Sequence, residues 1–219
     1  MNDTGNSADS NLLAGLTDGL AAMSGWEAAG VVLAFAYLVL AIRQNIWCWA
    51  AAAVSEIIFM FIMIEAKLYM ESALRVFYLG MAAYGWYSWS GRGRPGGSKD
   101  DGGLPVSVWP WRKHVIALAA IFLLVVVSGY TLSQFTDAAL PYWDSFTTWA
   151  AMIATWMVAR KVLENWFYWF VIDAVSVWLY LERGLQLTAF LYAVYLVMIV
   201  IGYRQWRSRY LTETAPQVA

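Results

Sequence analysis

Four side chains that could bind a small ring recur at helical spacing between residues 164 and 180. They stand at positions i, i+3, i+7 and i+10 and are Trp166, Trp169, Asp173 and Ser176. A helix would carry all four in one stripe, which Tyr180 continues at i+14. Indole faces attract cations, and a carboxylate balances a positive charge. The stripe therefore suits a flat, cationic aromatic ring, with helix packing as the alternative role for the same side chains.

The chain around this stripe is too apolar for a soluble domain. Of its 219 residues, 61% are hydrophobic and 13% are charged, and the mean hydropathy is positive. An Asp at the centre of a membrane-spanning helix costs about 2.5–3.5 kcal/mol, so Asp173 is a functional candidate. The basic residues are scattered between apolar runs instead of clustered, which argues against a nucleic-acid partner.

The composition also excludes several kinds of catalytic site. The chain has one cysteine, Cys48, and one histidine, His114. An intramolecular disulfide and a Cys/His metal site are therefore not expected, and neither is a Ser/His/Asp triad. No HExxH or GxSxG motif occurs. The sequence predicts no metal, no cofactor and no enzymatic activity.

Seven apolar runs are long enough to cross a membrane as helices. In the fifth run only residues 146–159 are cleanly apolar, so Arg160 and Lys161 would have to reach the interface with their long side chains. The seven predicted spans are 27–43, 46–65, 71–89, 113–133, 145–163, 165–181 and 186–206.

The distribution of basic residues predicts an orientation. If the loops alternate between sides, eleven of the 14 Lys and Arg residues fall on one side of the membrane, while Lys67 and Arg183 fall on the other. Loops rich in Lys and Arg stay in the cytoplasm. We therefore expect the N-terminus outside and the C-terminus inside.

An internal repeat is visible when the chain is shifted against itself by 117 residues. The shift aligns 66–89 with 183–206 at seven identical positions, among them Gly85/Gly202 and Trp89/Trp206. Further towards the N-terminus an offset of 120 matches Asn45-x-x-x-Trp49 with Asn165-x-x-x-Trp169. Glu56 matches Asp173 at the first offset and Ser176 at the second, and the sequence leaves this choice open.

The repeat predicts an all-α membrane protein in which two parallel three-helix bundles flank one linker helix, a 3+1+3 arrangement. Parallel repeats of this kind place a substrate site near the bilayer midplane, between the repeats. The predicted divisions are an N-terminal tail at 1–26, a first bundle at 27–89, a cytoplasmic loop at 90–112, a linker helix at 113–133, a second bundle at 134–206 and a C-terminal tail at 207–219. A short interfacial helix around 12–20 is one alternative for the first tail.

Further polar side chains inside the predicted spans could join the stripe. Arg75 could pair with Glu71, Asp173 or Glu56, and such a pair could either contact substrate or only neutralise buried acids. Besides the stripe, the residues assigned to the candidate site are Glu56, Arg75, Tyr78 and Tyr192.

Three motifs resemble the PnuC family of bacterial vitamin transporters: ENWxxWxxxD at 164–173, YGWYSW at 84–89 and PYWDSF at 141–146. The similarity extends over residues 27–206. It implies a SWEET-like helical bundle in the bacterial inner membrane that carries nicotinamide riboside by facilitated diffusion with alternating access. It also implies a cytoplasmic vitamin kinase that acts downstream, and substrate contacts at Trp166, Trp169 and Asp173.

This resemblance leaves two substrates open, nicotinamide riboside and thiamine. Family members associated with nicotinamide riboside carry Gln, Asn and Asn where this chain has Arg75, Ala82 and Asp173. The Asp form resembles the thiamine-type branch, and both vitamins are cationic aromatic molecules. Nicotinamide riboside is the family default and thiamine the alternative, while a membrane sensor or scaffold without transport is the alternative of another class.

Membrane lipid is an expected partner, and a homo-oligomer is an open alternative.

The predicted spans offer little with which to couple transport to an ion gradient. They contain few acids and no pair of helices interrupted by Gly or Pro. We therefore expect vitamin uptake into membrane vesicles to be unchanged when proton and sodium gradients are collapsed with ionophores. Loss of uptake under these conditions would contradict facilitated diffusion.

Overall fold

The computed structural model is all-helical and describes residues 21, 23–65, 67, 69–91, 103–136 and 140–215. The predicted interfacial helix around 12–20 and the central part of the predicted loop, 92–102, lie outside the described residues. Within the described ranges the helices are α1 (Gly25–Ile42), α2 (Trp47–Glu65), α3 (Tyr69–Trp89), α4 (Trp111–Phe135), α5 (Pro141–Ala159), α6 (Asn165–Glu182) and α7 (Gln186–Thr214).

Two helices differ from their predicted bounds by more than two residues at an end. α5 begins at Pro141 and ends at Ala159, about four residues earlier than predicted at each end. Proline suits the first turn of a helix because its fixed φ is already helical. Lys161 has a φ of 48°, which ends the helical path, so Arg160 and Lys161 lie in a turn outside α5. α7 continues past the predicted residue 206 to Thr214, where Arg209 and Glu213 form an i,i+4 ion pair at 3.1 Å.

Among the described residues four helices, α1, α2, α4 and α7, are long and apolar enough to cross a membrane. The other three have 21, 19 and 18 residues in α3, α5 and α6. At 1.5 Å per residue they extend over about 27–32 Å, which is the thickness of a bilayer core. Their lower hydropathy follows from polar side chains such as Arg75, Asp144 and Asp173, of which Asp173 is buried and the other two are partly exposed. The apolar side chains of α4, by contrast, are largely exposed, as expected for a lipid-facing surface.

The helices form two groups of three. α2 packs against α1 and α3, α6 packs against α5 and α7, and α4 packs against α5. The first group, α1–α3, meets the second group, α5–α7, where α3 contacts α5 and where α1 contacts α7. The origin of the two groups as a repeat stays a prediction.

A tryptophan packs against a glycine in each group. The indole of Trp49 in α2 lies on Gly85 of α3, and the indole of Trp166 in α6 lies on Gly202 of α7. Both pairs are related by 117 residues, so the packing favours this offset over the offset of 120 that matched Trp49 with Trp169. Glu56 then corresponds to Asp173.

These two glycines are required by the close approach of the rings. A Cβ atom at Gly85 would overlap Trp49, and one at Gly202 would overlap Trp166. We expect Gly85→Ala and Gly202→Ala each to lower the free energy of unfolding by about 1–3 kcal/mol, the usual cost of overpacking. Equilibrium unfolding in mixed micelles measures this loss.

Gly80→Ala is the matched control because Gly80 lies in the same helix as Gly85 and a Cβ atom at this position would meet no neighbouring atom within 4 Å. It should be neutral or slightly stabilising, since Ala favours helix over Gly by about 1 kcal/mol. Equal stability of Gly80→Ala and Gly85→Ala would contradict the packing of Trp49 on Gly85.

Candidate functional site

A central cavity of about 850 Å³ lies between the two groups of helices. Its wall combines aromatic rings with hydroxyl groups, and all seven helices contribute residues to it. The aromatic members are Tyr37, Trp49, Phe77, Tyr78, Trp149, Trp169, Tyr180 and Tyr192. The hydroxyl members besides tyrosine are Ser55, Ser128, Ser145, Thr147, Thr148, Thr155 and Ser176.

Six of the eight predicted site residues lie on this wall. They come from α2, α3, α6 and α7, which the fold brings around one space. The six are Glu56, Arg75, Tyr78, Trp169, Ser176 and Tyr192. Their role in contacting a substrate stays a prediction.

Trp166 and Asp173 lie away from the wall. Trp166 is 2% exposed, and its ring packs on Gly202 and on Trp206, whose ring centroid is 5.4 Å away. Asp173 is 3% exposed and interacts electrostatically with Tyr192 and Tyr195 of α7.

The residues of the predicted stripe contact two different neighbours because the stripe is wide. At 100° per residue its four positions spread over about 80° of the helix surface. Trp169 and Ser176 occupy the edge that faces the cavity. Trp166 and Asp173 occupy the other edge, which faces α7. The two indoles and the carboxylate therefore do not face the cavity together in this structure, and their contact with a substrate stays a prediction.

Glu56 and Arg75 form an ion pair on the cavity wall. The Arg75 Nη1 atom lies 3.4 Å from the Glu56 Oε2 atom. The guanidinium also lies over the Phe59 ring, 5.4 Å from its centroid. Of the three partners predicted for Arg75, Glu56 is the one found, while the side chain of Glu71 lies outside the described part. The pair cancels both charges within a partly buried site.

A second ion pair lies where α5 begins and α6 ends. The Arg183 Nη2 atom donates to both carboxylate oxygens of Asp144, at 2.8 and 2.7 Å. Both residues line the cavity and are partly exposed. In the predicted orientation this pair marks the outer mouth of the cavity.

The contribution of α5 was missed by the sequence analysis. Ser145, Thr148, Met152 and Thr155 line the cavity, and they repeat the spacing i, i+3, i+7 and i+10. This spacing is only a weak indication of a cavity wall, because a Ser or Thr hydroxyl in a helix can donate its hydrogen bond to a carbonyl of the same helix. Thr155 does so, with its Oγ1 donating to the Ala151 carbonyl at 2.8 Å.

The described helices are long enough to cross a bilayer and surround a cavity lined by aromatic and hydroxyl side chains, which is the architecture of a multi-pass membrane protein. The chain belongs to the nicotinamide mononucleotide transporter family, whose model matches residues 24–208. Family membership confirms the resemblance to PnuC proteins and identifies a transporter, not an enzyme.

Two curated relatives and one solved structure are similar over most of the chain. The riboflavin/roseoflavin transporter RibM of Streptomyces davaonensis is 25% identical over 191 residues, which cover 87% of this chain and 88% of that protein. The nicotinamide riboside transporter PnuC of Escherichia coli is 24% identical, covering 82% and 84%. The crystal structure of the vitamin B3 transporter PnuC has the same fold, with a TM-score of 0.66, 20% identity and coverage of 91% and 89%.

The Glu56–Arg75 pair can be tested by a double-mutant cycle. Removing one partner leaves an unpaired charge in a partly buried site, so Arg75→Gln or Glu56→Gln should each cost about 1–3 kcal/mol of unfolding free energy, between the values for surface and buried pairs. The double variant should cost less than the sum of the two, as measured by equilibrium unfolding. Strictly additive losses would show that the two side chains are not coupled.

Proposed function

We propose that this protein takes up a vitamin across the bacterial inner membrane, with nicotinamide riboside as the substrate. The observation that carries this proposal is the cavity between the two groups of helices, with its aromatic and hydroxyl-rich wall. Membership of the nicotinamide mononucleotide transporter family supports it. The excess of basic residues in alternate loops supports an outer N-terminus and an inner C-terminus.

The wall offers matched contacts for such a molecule. Trp169 can stack on the pyridine ring, with tyrosines such as Tyr78 and Tyr192 beside it. Ser176 and Thr148 can exchange hydrogen bonds with ribose hydroxyls, because a hydroxyl both donates and accepts. These contacts need no cofactor and leave the substrate chemically unchanged.

Riboflavin is a second candidate, favoured by the charge of the wall. The acids among the described lining residues, Glu56 and Asp144, are each paired with an arginine. A neutral ring with a polyhydroxylated chain fits such a charge-balanced wall without a counter-ion. The relative RibM is named as a riboflavin transporter.

Thiamine is less well supported than either of these vitamins. The residue that favoured thiamine is Asp173, which lies behind the wall against Tyr192 and Tyr195. Asp173 would therefore not contact a molecule in the cavity directly, so the residue that pointed to the thiamine-type branch gives no reason to prefer thiamine over nicotinamide riboside.

Facilitated diffusion with alternating access is the mechanism that we propose. The two groups would rock against each other about the cavity, opening it to one side at a time. A cytoplasmic kinase that phosphorylates the vitamin would then make net uptake one-way. A sensor or scaffold would bind the vitamin without moving it.

Binding can be tested by titrating the purified protein with nicotinamide riboside, riboflavin and thiamine in a calorimeter. We expect nicotinamide riboside to bind, and Trp169→Ala to weaken binding by about tenfold or more through loss of ring stacking. Trp178→Ala is the matched control. Trp178 lies in the same helix as Trp169, but it packs on Trp143 and is not among the residues that line the cavity.

Two results would contradict the proposal. One is that none of the three vitamins binds. The other is that Trp178→Ala weakens binding as much as Trp169→Ala, because the loss would then come from general damage to α6.

A further inference from the structure

Two tryptophans hold the two groups of helices together at one end. Trp89 in α3 donates from Nε1 to the Val158 carbonyl of α5 at 3.3 Å. Trp206 in α7 donates from Nε1 to the Ala41 carbonyl of α1 at 3.0 Å. The two rings are buried, with their centroids 6.1 Å apart. We call these two indoles and the two carbonyls the tryptophan latch.

The latch uses carbonyls that can accept a second hydrogen bond. Ala41 and Val158 lie in the last turns of α1 and α5, where helical carbonyls find few donors within the helix. Each carbonyl also accepts a turn hydrogen bond, from the Gln44 and Lys161 amides respectively. The indoles complete this pairing from the opposite group, so both hydrogen bonds cross between the two groups.

The latch lies at the predicted cytoplasmic end, beside the cavity. Trp49, on the cavity wall, contacts Trp89 at a centroid distance of 5.5 Å. On the other side of Trp89, the Lys161 Nζ atom lies 4.7 Å from the ring centroid. Burial, with a smaller effect of Arg209, lowers the pKa of Lys161 to about 8. Lys161 is 4% exposed, so its surroundings beside Trp89 are shielded from water.

Part of the segment before α4 covers the same end. The Ser107 amide donates to the Lys161 carbonyl at 2.9 Å, and the Leu163 amide donates to the Ser107 carbonyl at 2.8 Å. The Val106 amide donates to the Glu213 carboxylate of α7 at 3.3 Å. The latch and this segment therefore lie together at the inner end of the two groups of helices.

We propose that the tryptophan latch is the inner gate of the transporter, closed in this structure. The inference rests on the proposed alternating access and names the residues that must separate for inward opening. When α3 leaves α5 and α1 leaves α7, water entering the inner end replaces each indole–carbonyl hydrogen bond. Because such an exchange changes little net free energy, the gate can open and close reversibly.

The exposure of Cys48 can be used to measure this opening. Cys48 is the one cysteine of the sequence and is 0% exposed. It lies at the start of α2 in the first group and belongs to the same buried cluster as Val158 and Ala159 of α5 in the second group. Separation of the two groups at this end should therefore uncover the thiol.

The experiment measures the rate at which a fluorescent maleimide labels Cys48 in the purified full-length protein. Trp89→Phe and Trp206→Phe keep an aromatic ring but remove the N–H donor. Each should raise the labelling rate by about two- to tenfold, the effect of one net hydrogen bond on an opening equilibrium. The double variant should give about the product of the two increases. Trp111→Phe, at a side chain that is 70% exposed, should leave the rate unchanged.

A second reporter distinguishes gate opening from general loosening. Ala154→Cys, in a Cys48→Ala background, places the thiol at a fully buried position of α5 outside the latch. Its labelling should not change with the latch substitutions. An unchanged Cys48 rate in the double variant would overturn the proposal, and so would an equal increase at position 154. These measurements use no vitamin, so failure of vitamin binding would count against the proposed function alone.

Discussion

A membrane interior offers no water to pair with polar groups, and this constraint accounts for much of the structure. Each backbone or side-chain polar group that stays in the bilayer must find a partner within the protein or face an aqueous cavity. Glu56 and Arg75 satisfy each other on the cavity wall. The final turns of α1 and α5 take indole donors from the opposite group. The less apolar helices α3, α5 and α6 are those that carry polar residues inward.

Contacts within the groups differ in kind from contacts between them. Inside each group an indole lies directly on a glycine, which brings helices close and leaves little room for relative movement. Between the groups, α3 meets α5 and α1 meets α7, and two indole hydrogen bonds close one end. The proposed alternating access requires such a division into two units on either side of the cavity.

The all-helical fold could be predicted from hydropathy because long apolar runs have few other stable arrangements in a bilayer. The family could be predicted from motifs, and the family match confirms it. The partners of the α6 residues could not be predicted, since one helix face is wide enough to contact two different neighbours. Trp166 packs on Gly202 because a glycine on another helix leaves space for it, which spacing within α6 does not reveal. The hydroxyl face of α5 was overlooked because Ser and Thr are common in helices that only pack.

Counterflow in proteoliposomes tests the central claim most directly. Liposomes containing the protein are loaded with unlabelled nicotinamide riboside and diluted into a trace of the labelled vitamin without an ion gradient. A carrier with one central site predicts transient accumulation of label inside, and riboflavin gives the same signal if it is the true substrate. Absence of accumulation for both vitamins, in protein shown to be folded, would contradict the account.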